Sequence, residues 1–325
     1  MSLSRIVSIN AVAYRGNSTY IDGSKNVFIK PADKFPSPRD FTEFFKNKQN
    51  KRRLQSFLKN ELSKDVQQRK FKLIYSVGEE CWDLRNGQQR KELECSHAEA
   101  DTIIFFIYHQ FRSLGMTETV VIDAEDADIV VLSAKVSHDI KGDLGIKRKK
   151  ATLDCKKLCS PDLAKVIVPF HCHTGCDFTS GFYGHGKASI MKQLQKTQCG
   201  TALLAAVGEK LPVTSEMQKN LEEFTLRCIY NDHSSRNLSE ARAKKWTHMK
   251  RETTQRLPPD ENSHSLHAAR VNYVSLMLNN YHRRTELPHH CITLENGKNN
   301  FLFEGTNNCK LRSDSFLKPC VSFRV

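Results

Sequence analysis

The sequence predicts an α/β fold followed by a helical C-terminal extension. Three observations predict it. Apolar helix and strand patterns alternate between residues 71 and 132. The run Thr119–Asp123 (T-V-V-I-D) is rich in β-branched residues and follows a long apolar helix pattern. From Gly200 onward the apolar residues recur mainly at helical spacing. Two acidic pairs, Glu99/Asp101 and Asp126/Asp128, flank the central apolar block, and Asp177 follows in G-C-D-F-T-S-G.

Short strands are expected over 6–14 and 26–29. A helix is expected over 40–64, opened by Ser37-Pro38. Phe41, Phe44, Phe45, Leu54, Phe57, Leu58 and Leu62 form its stripe, and Lys46, Lys48, Lys51, Arg52 and Arg53 cover its other surface. That basic surface reads first as a solvated face and second as an arm facing nucleic acid. Residues 71–77 read as a strand and 81–95 as a polar lead-in.

The next helix is expected over 98–114. Ser96 and Glu99 have capping-box spacing, and Gly115 supplies the stop. Ile103, Ile104, Ile107, Tyr108, Phe111 and Leu114 recur at helical spacing, with Phe105 and Phe106 around them, so the helix should be largely buried. Acids in its first turn suit the helix dipole. Glu99 and Asp101 do not share a regular helical face. They converge on one ion only if that turn is irregular, or a second ion lies beside the first.

After Thr119–Asp123 comes A-E-D-A-D, which sets carboxylates past a strand end, the usual functional edge of an α/β sheet. Hard cations such as Mg²⁺ take oxygen ligands, and two of them can drive phosphodiester cleavage. The bland alternative makes Glu99 a helix cap and puts Asp126 and Asp128 in a solvated turn. Three acidic clusters together weigh against it. Residues 129–132 read as buried, in a strand or helical turn. K-R-K-K at 147–150, with Lys156 and Lys157, reads equally as a phosphate or import signal and as a solvated loop.

A helix is expected over 161–170, before H-C-H-T-G-C-D. Cys172, Cys176, His171 and His173, with Cys155 and Cys159, invite zinc, but their spacing matches no standard site. The stronger reading is a turn that presents Asp177, with Gly181, Gly184 and Gly186 letting backbone approach a nucleic-acid strand. A plain helix-entry turn is the alternative. Helices follow over 215–230, 239–253 and 262–281, with Trp246 and Tyr273 as packing anchors. The tail from Leu287 is irregular.

The chain has 325 residues and a formal charge of +14, from 50 Lys+Arg against 36 Asp+Glu. That balance favours a polyanion, nucleic acid before membrane. No run has transmembrane length and the N-terminus lacks a signal pattern. Eleven irregularly spaced cysteines read as reduced thiols of an intracellular protein, with the nucleus suggested by charge.

E-A-D at 99–101, E-D-A-D at 125–128 and G-C-D-F-T-S-G-F-Y-G-H-G-K-A at 175–188 follow in order. This resembles the core of the flap-endonuclease-like (PIN-like) nucleases. It is closer still to a group of mobile-element-like animal proteins carrying H-x-x-E-A-D-T, S-P-D-T-D and H-x-x-T-G-C-D-x-T-S-x-F-x-G-x-G-K. The matching stretches here are 97–102 (shifted by one), 124–128 and 171–187, and the likeness extends weakly over most of the chain. It implies a mostly parallel sheet between helices. It implies domains at 1–70 (incomplete N-terminal part with the basic helix), 71–200 (core) and 201–325 (helical extension and tail).

The resemblance makes Glu99, Asp101, Asp126, Asp128 and Asp177 the catalytic ligands of Mg²⁺ or Mn²⁺. It makes Gly184, Gly186, Lys187 and Lys192 contacts to nucleic acid, DNA ahead of RNA. It also implies early aspartates. The expected one falls on Val12, Asp22 is out of register, and the expected first strand falls upstream of Met1, as in a shortened or decayed copy. The functions implied are a metal-dependent nuclease acting on branched or 5′-ended nucleic acid, or a mobile-element-derived protein that binds nucleic acid without cutting it. A purely protein-interaction role is the third reading.

Overall fold

In the computed structural model the described residues are 6–12, 48–67, 72–97, 99–149, 151–197, 200–248, 254–285, 293–294, 301–302 and 320–324. The expected strand over 26–29, Asp22 and the start of the basic helix lie outside them. The chain divides into two compact units, residues 1–129, 140–155 and 281–325, and residues 130–139 and 156–280. The domain boundaries expected at 70/71 and 200/201 each fall inside a unit.

The first unit is built on β1 (Ile6–Val12), β2 (Leu73–Val77), β3 (Glu80–Asp83), β4 (Gln88–Gln89), β5 (Thr119–Asp123), β6 (Leu144–Arg148), β7 (Ala151–Asp154) and, after the short β8 (Thr293–Leu294) and β9 (Phe301–Leu302), β10 (Cys320–Arg324). The sheet order is β4-β3-β2-β10-β1-β5-β6-β7. The fold is α/β as expected, but the sheet is mixed rather than mostly parallel. Among the described strands, β5 lies parallel to β1 and to β6, and the other pairings are antiparallel. The reason is local: β2–β3 and β6–β7 are joined by tight turns, and a hairpin can only be antiparallel.

The basic helix α1 is Lys48–Val66. Lys59 sits 3.3 Å over the Trp82 ring of β3. Helix α2, Ala100–Ser113, is the core element of this unit: Phe105 and Phe106 are 0 % exposed, and Ile103, Ile104, Ile107, Tyr108 and Phe111 are buried with them. Gly115 follows at φ +79°, a conformation that stops a helix at little cost for glycine. The helix begins two residues later than expected. Glu99 is the N-cap and makes no side-chain capping bond, while the Ser96 N–H donates to the Arg284 carbonyl at 2.9 Å.

Helix α3, Ala127–Asp139, resolves the open choice at 129–132 in favour of helix. The second unit is helical: α4 (Pro161–His173), α5 (Lys187–Lys196), α6 (Ser215–Phe224) continued as a π-helix (Thr225–Ile229), α7 (Leu238–His248) and α8 (Glu261–Asn279). Local chemistry opens three of these. Ser160, Thr214 and Asp260 accept from the N–H of Leu163, Met217 and Ser263 at 3.3, 3.2 and 2.9 Å. Met217, Leu221, Phe224 and Cys228 form the buried stripe expected for 215–230. Trp246 corrects its expectation: it is 60 % exposed, because α7 buries only Leu238 and Ala241. No helix among the described residues is long and apolar enough to cross a membrane.

Candidate functional site

The crossover into β5 sets the acids of the first unit. Helix α2 packs against β1 and β10 and is joined to the start of β5 by a short link. Its N-terminus, with Glu99 and Asp101, therefore points back to the edge where β5 ends. Asp126 and Asp128 follow the end of β5 directly, so topology brings both pairs to one edge. Asp126 Oδ1 accepts the Asp128 N–H at 3.0 Å and so caps α3. Asp128 is 8 % exposed, while Glu99, Asp101 and Asp126 are half-buried. Replacing Asp126 by Ala should cost about 1 kcal/mol in thermal unfolding, whereas Asp126→Asn keeps a capping oxygen and should cost little.

The basic run at 147–149 faces this same edge, which sequence reasoning missed. Lys147 Nζ lies 2.7 Å from Asp123 Oδ2, Arg148 Nη2 donates to the Glu125 carbonyl at 3.1 Å, and the Lys149 N–H donates to Glu125 Oε1 at 2.6 Å. The register Asp123↔Lys147 of the β5–β6 pair was the structural cause. These exposed pairs contribute little to stability, but they turn the cluster toward protein acids.

Asp177 lies in the second unit, in a tight loop after α4, and is exposed. Gly175 is required here: its φ is +107°, and an added Cβ would lie 2.7 Å from Gly181 Cα. Cys176 and Thr179 form an isolated bridge. The Thr179 hydroxyl donates to the Cys172 carbonyl at 2.5 Å, and Cys176 Sγ lies 3.1 Å from Thr179 Oγ1. A hydrogen bond from the Cys172 thiol, opposed by burial and aided by Thr179, pulls the Cys176 thiol down to about 6.

The Gly-rich stretch forms a turn that opens α5. The His185 N–H donates to the Phe182 carbonyl at 3.0 Å with Gly184 at φ +81°, and Gly186 is the N-cap. Added Cβ atoms at Gly184 and Gly186 would meet nothing within 4 Å, so backbone is open there. Tyr183 is 53 % exposed beside it, and Lys192 and Lys196 are exposed on α5. Lys187 is half-buried instead. Its ammonium donates to His171 Nδ1 at 2.7 Å and to the His171 carbonyl at 3.3 Å, in the last turn of α4, where a cation suits the dipole.

Behind the turn lies a histidine core that the sequence reading did not find. Thr225 donates to the Leu221 carbonyl at 2.7 Å. Its oxygen then accepts from His173 Nε2 at 2.9 Å and His264 Nε2 at 3.0 Å. His267 Nε2 donates to the His173 carbonyl at 3.0 Å, and Phe182 packs on both His173 and His267. Among the described residues His173 Nδ1 is buried with no hydrogen-bond partner. Burial holds all three imidazoles below the usual histidine range, His264 down to about 4. The i, i+3 pair His264/His267 was the available signal.

Oxygen donors at the strand edge suit a hard cation. Among the described residues, however, no three His, Cys, Asp or Glu side chains form a group that could hold a metal ion, which bears on the zinc reading as well. No protein-family model, curated protein or solved structure matches this chain.

Proposed function

We propose that this chain binds nucleic acid, DNA ahead of RNA, through the Gly-rich turn and α5, on a flap-endonuclease-like scaffold that does not cut. The observation that carries this reading is the open turn backbone at Gly184 and Gly186, flanked by exposed Tyr183, Lys192 and Lys196. A +14 chain attracts a polyanion. An exposed ring beside open backbone offers a stacking platform for an unpaired base. Lys187 acts within the protein, bracing α4 against α5 through His171, rather than on phosphate. A nuclear location belongs to the same reading.

A second reading, metal-dependent cleavage of branched or 5′-ended nucleic acid, is favoured by the acids gathered at the β5 edge. Mg²⁺ or Mn²⁺ would then recruit Glu99, Asp101, Asp126 and Asp128, with Asp177 as the resemblance suggests.

Anisotropy of a labelled 5′-flap DNA should show binding that weakens steeply with salt. Tyr183→Ala should lose about 1–3 kcal/mol of binding, and Lys192→Ala should weaken binding and lower the salt slope. Binding that is absent or indifferent to salt would overturn the proposal. With Mn²⁺ added, the DNA should remain intact. Cleavage by the parent chain, lost in Asp126→Asn/Asp128→Asn, would replace the first reading by the second.

A further inference from the structure

One ring joins the Gly-rich turn to α7. Tyr230, at the end of the π-helix, meets His185 at 4.7 Å and Phe182 at 6.2 Å between centroids. Its hydroxyl donates to the Leu257 carbonyl at 3.1 Å, which fixes the ring and brings the exposed Arg256 beside it. From α7, Lys245 sets its ammonium 4.8 Å over the same ring. Protein acids do not answer these cations. Lys244 reaches Asp232 at 3.6 Å, but Lys245 and Arg256 have no carboxylate in ion-pair range among the described residues. They face like charge instead. Burial first, and then Arg256, holds the Lys245 ammonium below its usual range, and Lys245 adds to burial in holding the His185 imidazole down. An anion set among them would relieve that repulsion. Trp246 follows Lys245 directly and, at 60 %, is the most exposed of the described large apolar side chains.

We propose that the junction of the Gly-rich turn with α7 is a binding track for single-stranded nucleic acid, in which Lys245 and Arg256 take backbone phosphates and Trp246 stacks an unpaired base. Unpaired bases offer a free face to an indole, whatever their sequence. In a duplex those faces are already stacked on one another, so Trp246 has nothing to cover. The cations explain attraction to a polyanion, and the exposed ring beside them explains the choice of an unpaired strand. The inference rests on the nucleic-acid reading above and narrows its ligand.

The full-length chain is titrated with a labelled DNA strand of about 12 nucleotides and, separately, with the duplex of the same strand. Anisotropy should show the strand bound roughly tenfold tighter than the duplex. Trp246→Ala should weaken strand binding roughly 5- to 150-fold and leave duplex binding unchanged. Unlabelled strand should quench the tryptophan emission of the parent, and the quench should be lost in Trp246→Ala. Arg256→Gln should lower the slope of log K against log salt by about 0.7 for the strand. Both substitutions are at exposed side chains, so the fold is kept. Salt-dependent binding of duplex as tight as that of the strand, or unchanged strand affinity in Trp246→Ala, overturns the inference and leaves the nucleic-acid reading standing. Displacement of the strand by polyglutamate at equal charge also overturns it, since the surface then selects charge alone. Absence of salt-sensitive binding to either DNA removes both.

Discussion

Acidification from about pH 7 to about pH 4 is expected to unfold the helical second unit. His173, His264 and His267 are neutral in the folded chain because burial disfavours their charged forms, and the ring of His267 bears on both others. Arg270 adds a positive charge near His267. Folded pKa values below the unfolded value mean that the unfolded chain binds protons first. Stability is therefore complete above about 6.5 and falls as the pH drops toward the folded values. His264, held at about 4, accounts by itself for a loss of about 3 kcal/mol once fully protonated. The Thr225 hydroxyl gives no relief, since it already donates to Leu221 and accepts two imidazole N–H groups. Circular dichroism melts at a series of pH values check this. Hydrogen exchange should assign the loss to peptides of 161–173 and 261–279. His264→Gln keeps a donor but cannot be protonated, and should flatten the profile. A melting temperature constant between pH 7 and pH 4.5 in the parent would contradict the account.

Phe106→Ala should destabilise the first unit by about 3–5 kcal/mol. The ring is wholly buried in α2, beside Phe105 and 5.7 Å from His97 between centroids. Domains are stable by only about 5–15 kcal/mol, so this loss takes a large share. Leu114→Ala at the exposed end of the same helix pattern, 55 % accessible, should change stability by less than about 0.5 kcal/mol. The two tryptophans separate the units: Trp82 belongs to the first and Trp246 to the second. Urea unfolding followed by fluorescence in a Trp246→Phe background reads the first unit. Equal midpoints for Phe106→Ala and its parent would show that α2 is not the core of that unit.

Much of the helix and strand content was legible, because burial leaves a periodic trace. The β-branched run became β5, the doubled phenylalanines marked the buried α2, and the helix expected over 161–170 became α4. What was not legible depends on partners distant in sequence. Ser96 and Glu99 satisfy a capping template, yet the Ser96 N–H bonds Arg284 and the helix starts later. The β2–β3 and β3–β4 hairpins were passed over because 81–95 is polar, although Gly78 marked the first turn and Asn86-Gly87 the second. The acidic motifs led to one edge of the sheet but not to a metal-holding group among the described residues. The histidine core needed His173 and His264 to meet on Thr225, which no local pattern announces.

The position of β10 has a consequence for how the chain is made. In the order β4-β3-β2-β10-β1-β5-β6-β7, residues 320–324 are the seam between two half-sheets. On the ribosome the strands on either side, β1 and β2, are synthesised long before the seam exists. Until it arrives, each half-sheet carries an open edge able to pair with another chain. The unit thus completes itself through its most non-local contact, which slows its folding.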